Sequence, residues 1–229
     1  EYRDLEVFVA GLLAAADRGR QFVFRTAASL VRVRAGIPPR DLLDRSELTV
    51  ENGNGGLFVV GSYVPKTSAQ LAALRETDGI VDIEVNVDAL LDGARQPTAI
   101  AAATAAANRA MARGRDAVLF TSRDLVVGAD ATANLDIGRR VSESLIDIVR
   151  GIDRQPRYLV AKGGITSSDV ATRGLGVRRA MIMGQALPGV PVWRLGEESR
   201  WPGMAYVVFP GNVGDDDSLA VIRQRLTAS

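Results

Sequence analysis

From residue 57 onward, short apolar runs take turns with longer segments of helical character. "LFVVG" (57–61), "AVLFTS" (117–122) and "YLVAKGG" (158–164) have the length and continuity of buried strands, and "IVDIEVN" (80–86) alternates with period two. Between them lie three predicted helices. "TSAQLAALRET" (67–77) has Thr67 or Ser68 as a candidate N-cap, and "PTAIAAATAAANRAMARG" (97–114) is Ala-rich with Pro97 suited to a first turn. In "NLDIGRRVSESLIDIVRGI" (134–152) apolar residues recur at three and four, and "SSDVATRGLG" predicts a further helix after the 158–164 strand. The final third carries short β runs, Gly and Pro turns and one terminal helix. Alternation of this kind predicts an α/β fold, a mainly parallel sheet flanked by helices in three αβα layers.

Residues 1–50 are patterned differently. "DLEVFVAGLLAAADRG" has helical spacing through Leu5, Phe8, Val9, Leu12 and Leu13 and stops at Gly19. "QFVFRTAASLVRVRAG" begins as a strand and continues as a basic amphipathic helix, whose apolar face suits an interdomain or dimer surface or packing on its own domain. "IPPRDLLDRSELTVENGNGG" reads as a linker, with paired Pro followed by Gly and Asn. The expected division is a segment 1–50 and a domain 51–229.

Composition narrows the function classes. Among 229 residues, 28 Lys and Arg face 27 Asp and Glu, so charge favours neither nucleic acid nor an anionic membrane as partner. The chain has no Cys and no His, which excludes disulfides, thiolate zinc sites, thiol nucleophiles and Ser-His-Asp triads. Its apolar runs fall far short of the roughly 20 residues of a membrane helix. The first residues lack both a signal-peptide pattern and an initiator Met, which suggests an interior piece of a longer protein or a processed chain. A cytoplasmic location is compatible with all of this.

Chemistry in an open α/β sheet gathers beyond the carboxyl ends of strands. Three predicted strand ends carry glycine: "VVGSYVPKT", with Gly61, Ser62, Lys66 and Thr67; "LVAKGGITSSD", with Gly163, Gly164, Thr166, Ser167 and Ser168; and "VVFPGNVGDDD", with Gly211 and Gly214. Glycine lets backbone approach a phosphate, the following helix offers unpaired N–H groups, and hydroxyls add donors or an oxygen for magnesium. Each turn is either such a ligand loop or a plain βα connection. Neither G-x-x-x-x-G-K-[ST] nor G-x-G-x-x-G occurs in them, which disfavours a Rossmann-type oxidoreductase. Asp215, Asp216 and Asp217 suit the capping of a helix start, or catalysis. Arg123 is a candidate phosphate contact, a surface residue, or an ion-pair partner of Asp124. Trp193 and Trp201 are candidates for packing or for stacking on a base.

The block "AKGGITSSDVATRGLGVRRAMIMGQALPGVPVWRLG", with "YVVFPGNVGDDDSL" after it and "GGLFVVGSYVPKTSAQLAAL" before it, resembles the C-terminal, nucleotide-binding domain of the four-carbon acid sugar kinase family. "FVFRTAASLVRVRAG" resembles the close of that family's N-terminal, acid-sugar-binding domain. The resemblance implies an ATP-dependent kinase with magnesium, acting on a sugar acid such as threonate or erythronate. It implies nucleotide contacts at Ser62, at the loop Gly163, Gly164, Ile165 and Thr166, and at Gly211. Lys66, Arg123, Ser167 and Gly214 are further candidate phosphate contacts, and no metal ligand is assigned. The family's Asp-Asp-x-x-Gly motif is absent before residue 50, so the substrate half and its catalytic residues are expected outside this chain. The alternative expectation is a non-catalytic nucleotide-binding module.

Overall fold

The computed structural model describes residues 1–123, 126–128 and 130–227, and these divide into two units, Glu1–Asp41 and Leu42 onward. The first unit holds α1 (Tyr2–Asp17) and α2 (Ala28–Arg34), with Val9 and Leu30 buried and the Arg32 guanidinium 4.2 Å from the centre of the Tyr2 ring. α1 ends where Gly19 turns left-handed at φ +82°. The strand predicted at "QFVF" does not form. Phe22, Val23 and Phe24 are exposed, because nothing in this unit pairs with their backbone.

The second unit begins with α3 (Arg45–Leu48), inside the stretch read as a linker. Asp44 accepts from Glu47 N at 3.1 Å while the Glu47 carboxylate accepts from Asp44 N at 3.2 Å, a reciprocal cap. Leu43 and Leu48 are fully buried among Phe58, Leu219 and Leu226, so they belong to the core of the second unit.

Then come β1 (Leu57–Val60), α4 (Pro65–Arg75), β2 (Ile80–Val85), α5 (Val87–Leu91), α6 (Gln96–Ala112), β3 (Asp116–Thr121), α7 (Ala131–Arg150) and β4 (Leu159–Lys162). α8 (Gly164–Asp169) runs on into a π-helical turn over Val170–Gly174. β5 (Ala180–Leu187), β6 (Val190–Leu195), β7 (Ala205–Phe209) and α9 (Ser218–Thr227) complete the unit. Neither α3 nor α5 is legible in the sequence. Thr67 and Ser68 lie within the first turn of α4, which Val64 caps with Pro65 at the first helical position.

The strands form one sheet in the order β2-β3-β1-β4-β7-β6-β5, parallel from β2 through β7, with β6 and β5 antiparallel at one edge. β1 is buried on both faces. Leu57 and Val59 meet Ala103, Ala107, Leu145 and Ile148 of α6 and α7; Phe58 and Val60 meet Leu71, Leu74 and Ile222 of α4 and α9. The three-layer α/β architecture expected from the alternation is therefore the one adopted. Ala at 103, 107 and 110 lets α6 lie close on the sheet, which accounts for its composition. At the amino end of the sheet, Asp116 accepts from Gly56 N and pairs with Arg223 of α9, both at 2.7 Å. Among the described residues no helix is long and apolar enough to cross a membrane.

Topology places the site. β1 feeds α4, which lies on one face and leads to β2 at one edge; β4 feeds α8, which lies on the other face and leads to β5 at the opposite edge. The connections diverge from two adjacent strands, and a crevice opens between their carboxyl ends.

Candidate nucleotide site

Because β1, β4 and β7 are neighbours, the three glycine turns at their ends lie side by side. Gly61, Ser62, Gly163, Gly164, Thr166 and Gly211 line one cleft of about 660 Å³. The glycines are there for different reasons. A Cβ on Gly61 would stand 2.4 Å from Thr166 Oγ1, so only hydrogen fits. Gly163 sits at φ +113°, and its Cβ would stand 3.0 Å from that of Ser62. Gly164 has nothing within 4 Å of where its Cβ would be, so its α-carbon faces open space. A Cβ on Gly211 would come 3.5 Å from Ser62 Oγ. Val141 and Leu145 of α7 and the exposed Ile165 add apolar wall.

Six of the sequence-predicted residues meet in this cleft: Ser62, Gly163, Gly164, Ile165, Thr166 and Gly211. The other four are not among its lining residues. Lys66 Nζ donates to Gly214 O at 2.9 Å. The Arg123 guanidinium donates to Ser62 O at 2.8 Å and Thr121 O at 3.1 Å, and burial pulls its pKa down against the pull of Glu84. Asp124, its suggested partner, lies outside the described residues. Ser167 is buried and donates to Ala161 O at 2.7 Å. Gly214 turns at φ +84°, where a Cβ would meet Ser218 Oγ at 2.5 Å.

Of the residues that hold these loops, the sequence reading named Thr67 as part of the first turn and missed Gln70 and Lys162. Thr67 Oγ1 lies 3.2 Å from both Ser62 Oγ and Gly211 O, tying the first and third turns together. Gln70 Nε2 donates to Val213 O at 3.0 Å and Asp215 O at 2.7 Å. Lys162, the last residue of β4, is wholly buried, donates to Pro210 O at 2.8 Å, and lies 3.9 Å from the centre of the Phe209 ring. A lone charge at the end of an apolar strand was the available signal. In the cleft, Asp169 accepts from Ser142 Oγ at 2.5 Å and lies 3.8 Å from Arg173.

Two further sets of candidates are not among the residues that line the cleft. Asp215, Asp216 and Asp217 are exposed in the turn before α9; Asp215 N donates to Ser218 Oγ at 2.7 Å, and Val221 N donates to Asp217 O at 2.9 Å. Trp201 is buried in the core, and Trp193 packs on Tyr206 with ring centres 6.0 Å apart.

Residues 57–219, which contain all of this, match the family model of the nucleotide-binding C-terminal domain. The chain belongs to that family. A domain of unknown function (DUF1537) from Bordetella bronchiseptica, crystallised as a domain-swapped dimer with bound citrate, is 23% identical with a TM-score of 0.58, covering 87% of this chain and 44% of its own. A Haemophilus influenzae protein of family DUF1537 is 18% identical with a TM-score of 0.64, covering 99% and 52%. At such identities the likeness is one of fold, and the nucleotide-binding domain with its first unit spans about half the length of these structures. A comparison with curated proteins gave no match.

Proposed function

We propose that the chain is the nucleotide-binding portion of an ATP-dependent kinase that phosphorylates a hydroxyl of a four-carbon sugar acid, such as threonate or erythronate. The observation that carries the nucleotide half of this reading is Gly164, an α-carbon open to the cleft at the start of the helical segment 164–174. Helix geometry leaves the first N–H groups of such a segment without intrahelical partners, and with no side chain at 164 a phosphate can approach them. Ser62, Thr166 and Gly211 border the same space. Val141, Leu145 and Ile165 offer apolar surface suited to a nucleoside base. The loop's donors are neutral, so it fits a phosphate whose charge is shared with the magnesium ion that accompanies ATP.

Phosphoryl transfer depends on positioning donor against acceptor and on stabilising charge. The sugar-acid site and the general base are assigned to the part of the relatives' length that this chain does not span. A homodimer belongs to the proposal, in keeping with the domain-swapped dimer of the Bordetella bronchiseptica protein, and so does a cytoplasmic location where ATP is available. A second reading, a module that binds nucleotide without transferring phosphate, rests on the same cleft.

Calorimetric titration with ATP and ADP, with and without magnesium, tests the common part. Binding in the micromolar to millimolar range, weakened at least tenfold by Gly164→Val, is expected. No heat at millimolar ligand overturns the nucleotide reading. ATP-dependent phosphorylation of threonate by this chain alone would overturn the non-catalytic module.

A further inference from the structure

Resting on the nucleotide reading above, one group at the site stands out physically. Lys162 carries an ammonium that is wholly buried, and among the described residues no carboxylate lies within 4 Å of it. Its neighbours are a carbonyl, Pro210 O, and the face of Phe209. The charged group that faces it from α4 is Lys66, which repels it. β1 and β7 bring Val60 and Phe209 alongside, both uncharged, and the loop Pro210–Gly214 carries no charged residue. The acidic run 215–217 is exposed beyond that loop. A buried cation without an anion is costly, and its usual resolution is to find one or to lose its proton.

The position of the ammonium says where the anion would come. Lys162 is the residue before Gly163, whose N–H donates to Phe209 O at 2.8 Å, and its Nζ holds the carbonyl of the residue before Gly211. It therefore sits one residue behind each of two glycine turns that line the cleft. Neither turn contains a charged side chain of its own up to Gly214, and Lys66 is turned onto Gly214 O.

We propose that Lys162 supplies, from behind the glycine turns, the fixed positive charge that nucleotide phosphates complete, so that binding of a di- or triphosphate is coupled to protonation of this lysine. It acts through the loops and is a positioning residue. Burial, reinforced by Lys66, lowers its pKa to about 8. An anion arriving in the cleft favours the charged form and raises it again. Between those two pKa values the complex holds a proton that the free protein has lost. Affinity then falls with rising pH, by up to about tenfold per unit.

Calorimetry of the full chain with ADP at pH 9, in two buffers of different ionisation enthalpy, reads the proton directly, since ADP phosphates are already ionised there. Expected is net uptake of most of one proton per ADP at pH 9, and little with adenosine in place of ADP. ADP binding at pH 9 with no proton uptake overturns the inference and leaves the nucleotide site standing; no ADP binding at any pH overturns both. Lys162→Arg, which stays charged, should keep the affinity and lose the pH dependence between pH 8 and 9.5. Lys162→Met should weaken ADP at pH 7 more than adenosine. Equal losses for the two ligands would mean that the residue merely shapes the loop, and would overturn the inference too. The wild-type measurement decides even where a variant fails to fold.

Discussion

Gly61 and Gly164 lie in the same cleft and should respond oppositely to a methyl group. At Gly61 the added Cβ meets Thr166 Oγ1 at 2.4 Å and Leu145 Cδ1 at 3.0 Å. Gly61→Ala should cost about 1–3 kcal/mol of stability in urea titrations, as overpacking does. At Gly164 the methyl meets nothing, and an alanine is a better helix residue than glycine by about 1 kcal/mol. Gly164→Ala should leave the protein as stable or slightly more so, while weakening ADP. Lys162 gives a pH prediction of definite sign. Its folded pKa of about 8 lies below its ordinary 10.5, so between those values the unfolded chain binds more protons than the folded one. Its contribution to stability is therefore fully present above pH 10.5 and is lost as pH falls through 8. Wild type should gain on Lys162→Met as pH rises from 7.5 to 10, by at most about 1.4 kcal/mol per unit, measured by denaturation at each pH.

Among the elements, α3 was hidden because four residues make too short a window for periodicity, and the Pro and Gly around it read as punctuation. Its weight lies in Leu48 and the preceding Leu43, both buried under α9 and β7. Leu48→Ala should cost about 2–5 kcal/mol, whereas the more exposed Leu42→Ala should stay within about 0.5 kcal/mol, compared by urea titration. The clamp on the 210–215 loop is likewise an element-level device. α4 brings Lys66, Thr67 and Gln70 to one side, spaced as neighbours on a helix, and their donors meet the carbonyls of Gly214, Gly211, Val213 and Asp215. The spacing is visible in the sequence. Its target, about 145 residues away along the chain, is not.

At the scale of the whole molecule, the two hydrophobic clusters flanking the sheet contain no residue before Leu43. A chain starting at Leu42 should therefore unfold as cooperatively as the full chain and bind ADP with unchanged affinity. A chain starting at Glu51 should be markedly less stable, since it lacks Leu43 and Leu48. Urea titration and ADP calorimetry on both separate the outcomes, and loss of ADP binding on removing 1–41 would make the first unit part of the site. The edge strand β5 exposes Met181 and Ile182 on opposite faces, so sedimentation should detect self-association if a second copy covers that edge.

By itself the sequence determined the layered α/β class, four of the five parallel strands and the glycines of the turns that line the cleft. Those features are written locally: a buried parallel strand must be apolar throughout, and a turn that needs φ above zero or no Cβ must be glycine. It also carried the long blocks by which the nucleotide-binding domain is recognisable. Tertiary structure alone decided which glycine turns share a cleft, because that depends on strand order and on the opposite directions taken after β1 and β4. It decided that Lys66, Arg123 and Ser167 donate to backbone oxygens, since a donor's partner depends on where distant carbonyls arrive. It also decided that Lys162 is buried with no carboxylate within 4 Å among the described residues. Burial of a charge is a property of everything packed around it, and no local pattern in the chain records that.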